Sequence, residues 1–140
     1  MPPTALVVGL NDSACLGGGW HERERDGRCG LPYRATGPSA ELRLAPAPGA
    51  RGLALLVAAP VDLLGAPARG ALLIEAGAVP LRAPLELRHD GWVLRRFPLK
   101  DPRGVIAIRL EADRAIVPDH ALRNGDGRAL GWFVSAVWQE

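Results

Sequence analysis

Lysine, cysteine and aromatic residues are all scarce in this chain, and each scarcity closes off a class of function. Lys100 is the single lysine, the other basic side chains are scattered arginines, and the formal net charge is only +2. Without a Lys/Arg block, or aromatics interleaved with one, there is no footprint for a nucleic-acid groove. Cys15 and Cys29 are the only cysteines, and no second Cys or His pair stands at zinc spacing beside them. They can close one disulfide or remain two thiols. Apolar runs are short throughout, well below the roughly 20 residues of a membrane-spanning helix. The opening MPPTALVVGL has no basic n-region and too short an apolar run for a secretory signal. The expectation is a soluble, cytoplasmic protein with no nucleic-acid partner, no membrane insertion, no metal and no cofactor. Its 140 residues fit one domain, residues 1–140. A domain of this size buries about 68–70% of its unfolded surface, so it folds without a staple.

What is abundant is leucine, alanine and arginine, whose intrinsic preference is helix. The punctuation overrides that preference. Prolines at 46, 48, 60, 67, 80, 84, 98, 102 and 118, with glycines between them, cut the chain into short pieces. Proline inside a helix costs about 3 kcal/mol or more, through the lost N–H and the ring clash. Few pieces reach the roughly 12–15 residues at which an isolated helix is even marginal. Within the pieces the period is two. In SAELRL, Ala40, Leu42 and Leu44 share one face, and Glu41 and Arg43 the other. PLELR and VIAIRLEA alternate in the same way, whereas LALLVAA (53–59) and GWFVSAVW (131–138) are apolar on both faces, as covered strands are. The pattern predicts an all-β fold, an antiparallel two-sheet β-sandwich of jelly-roll type with about nine short strands. APAPGARG (45–52) reads as an inter-strand loop.

Four places hold residues capable of chemistry. GLNDSACLGGG lacks the Lys-Ser/Thr ending of a P-loop and the spacing of G-x-G-x-x-G, and no apolar stripe follows on which a helix could dock. Ser13 or Cys15 with His21 and Asp12 can be drawn as a nucleophile set, but no G-x-S-x-G elbow carries it, and Asp and Ser are common turn residues. This hydrolase reading is the weakest of three. His21, His89 and His120 belong to no metal spacing. PDHALRNGDGR (118–128) collects Asp119, Asn124 and Asp126 without the ligand rhythm of an EF-hand, and reads as a hairpin or long turn. Of the four tryptophans, Trp132 and Trp138 sit in the most apolar strand and are expected in the core. Trp20 and Trp92, beside charged residues, are expected at a surface or rim.

The phrases LGGGWHERE and LPYRATGPSAELRL at the front, with LRNGDGRALGWFVSAVW at the end, carry a resemblance. The chain resembles the carbohydrate-binding-module-like β-sandwich domains found beside glycosyltransferases and methyltransferases of bacterial cell-surface polysaccharide synthesis. The match runs from about Leu16 to Trp138. Gly19, Trp20 and Glu24 fit the family's opening phrase. Tyr33, Arg34, Thr36 and Gly37 fit the second, and Asp126, Arg128, Leu130 and Gly131 the closing one. Where the family usually has Trp after Arg34, this chain has Ala35. If that Trp is a sugar platform, this copy has lost it; if it is a packing residue, neighbours must offset a few kcal/mol.

The resemblance implies a non-catalytic glycan-binding or glycan-enzyme accessory module of cell-envelope polysaccharide metabolism, not an enzyme. Its partner would be a glycan or a glycan-processing enzyme, and its glycine run would be a turn. Trp20, His21, Glu22, Tyr33, Arg34 and Trp92 are the candidate ligand-binding residues, pairing aromatic faces with planar polar groups. Asp126 and Arg128, near a turn, are expected to lock a loop through charge-assisted hydrogen bonds. The rival reading is a protein–protein interaction or assembly subunit. It is motivated by the short chain, the missing Trp at position 35 and the many arginines, a residue enriched at interfaces.

Overall fold

Ser39–Leu44 forms the strand its alternation predicts, with Ala40, Leu42 and Leu44 buried and Ser39, Glu41 and Arg43 exposed. The same logic builds most of the molecule. A computed structural model describes residues 1–77 and 79–140. It contains β1 (Leu6–Val7), β2 (Trp20–Arg25), β3 (Pro32–Thr36), β4 (Ser39–Leu44) and β5 (Gly52–Ala58). These are followed by α1 (Val61–Leu64), β6 (Ala68–Glu75), β7 (Leu81–Leu87), β8 (Val93–Pro98), β9 (Ile106–Ala112), α2 (Pro118–Leu122) and β10 (Phe133–Gln139). The strands form two antiparallel sheets. One has the order β2-β3-β10-β5-β8, with β1 also on β10, and the other β4-β9-β6-β7.

The core lies between the sheets. Leu42, Leu44, Leu72, Ile74, Leu85, Leu87, Ile106, Ile108 and Leu110 come from the four-stranded sheet and meet Leu53, Leu55, Val57, Phe97, Val134 and Val137 of the other. Each such side chain contributes about 1.5–3 kcal/mol relative to exposure. Trp132, 1% exposed, is the largest of them, and its indole N–H donates to Glu111 O at 2.9 Å. One side chain therefore fills the middle and ties the start of β10 to β9 of the opposite sheet.

Among the described residues there are ten strands, in keeping with the expected pattern of about nine short ones. Two local expectations change. PDHAL is a helical turn, α2, and not part of a hairpin. Its first residue is Pro118, where the missing N–H costs nothing. Trp138 is not in the core. A bulge between Val134 and Ala136 shifts the register of β10 on β5. Beyond it Val137 turns inward and is buried, while Trp138 is left half-buried on the outer face.

Candidate functional site

The front loop is held by structure and not by reactive geometry. Asp12 lies in a single 3-10 turn, Asp12–Ala14, and accepts from Arg34 Nε at 2.6 Å and from Gly9 N–H at 3.1 Å. Burial pushes its carboxyl up, but those donors outweigh it and hold the carboxyl below its usual range. Cys15 is buried, and burial with the nearby Asp12 charge raises its thiol, the opposite of what a nucleophile needs. Cys29 is exposed, and the two cysteines do not pair. Among the described residues Ser13 has no hydrogen bond to His21. The glycines are zipped onto β4: Gly17 N–H donates to Glu41 O, and Gly18 O accepts from Glu41 N–H. Gly19 has φ +92 and sits so close to Ser39 O that a Cβ would collide with it. The glycine run is a turn, and more: a strip of main chain pressed against a strand edge.

The six predicted binding residues separate. Trp20 packs against the main core, and its indole N–H donates to Glu41 O at 2.7 Å. Arg34 pairs with Asp12 and donates to His21 O at 3.0 Å. Their common side is set by a bulge between Trp20 and Arg23, which aligns Trp20 with Thr36 and Arg23 with Arg34. Both are supports of the sheet. His21 bonds Ala129 O through Nε2 at 2.9 Å, and Glu22 is exposed on β2. Tyr33 and Trp92 do come together, on the outer face of the six-stranded sheet.

Tyr33 is the centre of that face. Its ring lies 5.5 Å from Trp92 at 59°, and 5.2 Å from Phe133 at 46°, tilted contacts that aromatic quadrupoles favour. The Trp92 indole N–H donates to Asp26 Oδ2 at 2.8 Å. Asp26 also takes the main-chain N–H of Arg28 and Cys29 at 2.7 and 3.3 Å, and the Arg28 N–H and then the indole lower its carboxyl. Burial and then the charges of Glu24 and Asp26 raise the Tyr33 hydroxyl. Beside Tyr33, Arg128 grips Asp126 with two bonds of 2.8 and 2.7 Å, and reaches Glu24 at 3.0 Å. The fork holds Asp126 at about 2. These bonds join Asp126 and Arg128 in the last loop to Glu24 of β2.

The face continues along the strands. Phe133 is aligned with Ala35 and Ala58, Leu56 with Ala136 and Leu94, and Ala54 with Trp138 and Arg96. Leu56, Leu94, Ala136 and Trp138 are all half-buried. Position 35 is closed. Ala35 is 0% exposed and lies in a second small core with Ile116 and Leu130, against which Leu63, Leu64 and Phe133 pack. The loop before β10 sits down over it, so a larger residue there would be a packing residue and not an exposed platform.

Nearby polar groups are committed to main chain. Asp119 Oδ1 takes Gly125 N–H at 2.6 Å, and Asn124 Oδ1 takes Asp126 N–H at 3.0 Å. Among the described residues no cluster of three or more His, Cys, Asp or Glu could hold a metal ion, and no helix is long and apolar enough to cross a membrane. An apolar cleft of about 430 Å³ lies past the far end of β8 from Trp92, walled by Ile74, Leu81 and Leu99 with Lys100 and Arg103 on its lining. Phe133, Trp138, Leu56, Leu94 and Asp26 are the site residues that the sequence did not single out. For Phe133 and Trp138 a signal was present, in a strand apolar on both faces.

Fold and site together define an all-β, two-sheet sandwich with an aromatic patch on one outer face. No family model matches the chain, and no curated protein matches it. Among solved structures it is similar to the CBM35 from Cellvibrio japonicus Abf62, at 15% identity over 95% of this chain and 90% of that one, with a TM-score of 0.49.

Proposed function

We propose that the outer face of the six-stranded sheet binds a glycan, and that the chain is a non-catalytic accessory module of cell-envelope polysaccharide metabolism. The observation that carries this reading is the Tyr33–Trp92–Phe133 cluster, half-buried on a sheet face. Sugar rings present C–H faces that stack on such rings, and hydroxyls at their edges that bond to planar polar groups. Glu24, Asp26, Asp126 and Arg128 provide those groups around Tyr33, in positions fixed by their own bonds. The phrases around Trp20 and Arg128 that resemble polysaccharide-associated modules support the cell-envelope setting and a glycan-processing enzyme as partner. An exposed, unpaired Cys29 is in keeping with a reducing, cytoplasmic location.

The test is a titration of the folded chain with a panel of polysaccharides, followed by tryptophan fluorescence. A saturable change is expected, and Trp92→Ala should weaken it about tenfold, the value of one good aromatic contact. Absence of any response in a sample with native near-ultraviolet dichroism overturns the reading.

One observation favours the rival. The apolar strip of Leu56, Leu94, Ala136 and Trp138 extends the face beyond the aromatic cluster, as a protein-docking surface would. Light scattering after size exclusion, with recovery of a defined partner enzyme, supports this second reading; a strict monomer that retains no partner removes it.

A further inference from the structure

We infer that the aromatic face selects a sugar carrying a protonated amine over a neutral or an acidic one, an inference that rests on the glycan-binding reading above. The chain as a whole is formally +2, yet the groups around Tyr33 and Trp92 have the opposite balance. Glu24 is the direct cross-strand partner of Tyr33. Glu24 and Asp126 share the one guanidinium of Arg128. Asp26 is held by the Trp92 indole and two main-chain N–H groups, which orient its carboxylate and leave its charge in place. Asp90, two residues before Trp92, accepts the Asp62 N–H at 3.0 Å. The two carboxyls are near enough that a hydrogen bond and the like charge of Asp90 raise Asp62. Against these five carboxylates stand the guanidinium groups of Arg128 and Arg28, with His89 beside Asp62 and His21 beside Asp126.

An ammonium group is attracted both by the negative faces of the rings and by the surplus carboxylates. A uronate meets the same groups as repulsion. The remaining C–H face of an amino sugar still stacks, so selectivity comes from charge while the aromatic contact is retained. N-acetylation removes the positive charge and adds bulk, and the advantage is lost.

The experiment is calorimetric titration of the full chain at neutral pH with four oligosaccharides of equal length: fully deacetylated glucosamine, N-acetylglucosamine, neutral glucose and galacturonate. The glucosamine oligomer should bind about fivefold or more tighter than the N-acetylated one, with the advantage shrinking as salt is raised. In the double variant Asp62→Asn, Asp90→Asn, the ratio of amino to N-acetyl affinity should fall. Equal affinities, or preference for the N-acetylated, neutral or acidic oligomer, overturn the inference and leave the glycan reading in place. Oligolysine of matched charge binding as tightly as the amino sugar overturns it too, because charge alone would then suffice. No response to any oligosaccharide from a folded sample removes both readings together.

Discussion

On the outer face of the four-stranded sheet, one row across the strands reads Glu41, Arg109, Leu73, Arg82; on the outer face of the six-stranded sheet, a row reads Ala35, Phe133, Ala58. The first face is laced by ion pairs in open solvent: Arg109 with Glu41, Arg82 with Glu111, and Arg69 and Arg88 with Glu86. Such pairs contribute little to stability, but they keep a strand surface wet and discourage edge and face association. The second face keeps its charges at the rim, where Arg128 is forked between Asp126 and Glu24 and Arg96 pairs with Glu140, and leaves leucines and aromatic rings in the middle. Both faces belong to one chain and share one core. The difference therefore reflects what each face meets and not what the fold requires. A solvated ladder meets water, whereas a contiguous apolar patch with fixed polar neighbours is what a ligand or partner covers.

The largest expected effect comes from the ion pairs. Asp12 and Arg34 are 5% and 20% exposed, against 54% and 48% for Glu41 and Arg109. Arg34→Met leaves a carboxylate buried without its partner, and should cost about 3 kcal/mol in urea unfolding. Arg109→Met, on the other sheet, should cost less than about 1 kcal/mol. Equal losses would erase the contrast between a sheltered pair and a solvated one. Next come the apolar residues. Phe133→Ala removes a ring that touches Tyr33 and the small core around Ala35, and should cost about 2 kcal/mol, below the full-burial range because Phe133 is only half-buried. Leu73→Ala, flanked by Arg109 and Arg82 on the charged face, should cost under about 1 kcal/mol. A Leu73 loss as large as that of Phe133 would show that both faces are structural in the same degree.

Most strands were legible because each writes its own burial in a two-residue rhythm, as SAELRL does. The Asp126–Arg128 pair is local, its two members being two residues apart, so sequence alone can suggest the contact. The aromatic cluster was not. Tyr33, Phe133 and Trp92 come from or beside β3, β10 and β8, and only the strand order β3-β10-β5-β8 brings them onto one face. No local rule predicts that order. Trp20 and Arg34 were grouped with Tyr33 by nearness in sequence, but the β2 bulge and the buried Asp12 turn them to supporting roles. Trp138 was misplaced for the same reason, since one extra residue at Ser135 decides which side it takes.

The smallest effect is the most specific to the rim. The Arg128 fork holds the Asp126 carboxyl at about 2, below the ordinary aspartate value of about 3.9. A depressed folded-state value contributes stability that is fully present above about pH 4 and is lost as pH falls through about 2. Thermal melts of wild type should therefore drop over that interval. Asp126→Asn should melt slightly lower than wild type at pH 6, and the gap should narrow as pH approaches 2, where about half of the wild-type Asp126 carboxyls are already neutral. Glu41→Gln supplies the control from the other face, with an offset at pH 6 that is smaller still because its pair is half exposed on both sides. An Asp126→Asn offset that persists undiminished at pH 2 would mean that the side chain's shape, and not its charge, holds the loop. The rim would then differ from the solvated ladder in packing alone.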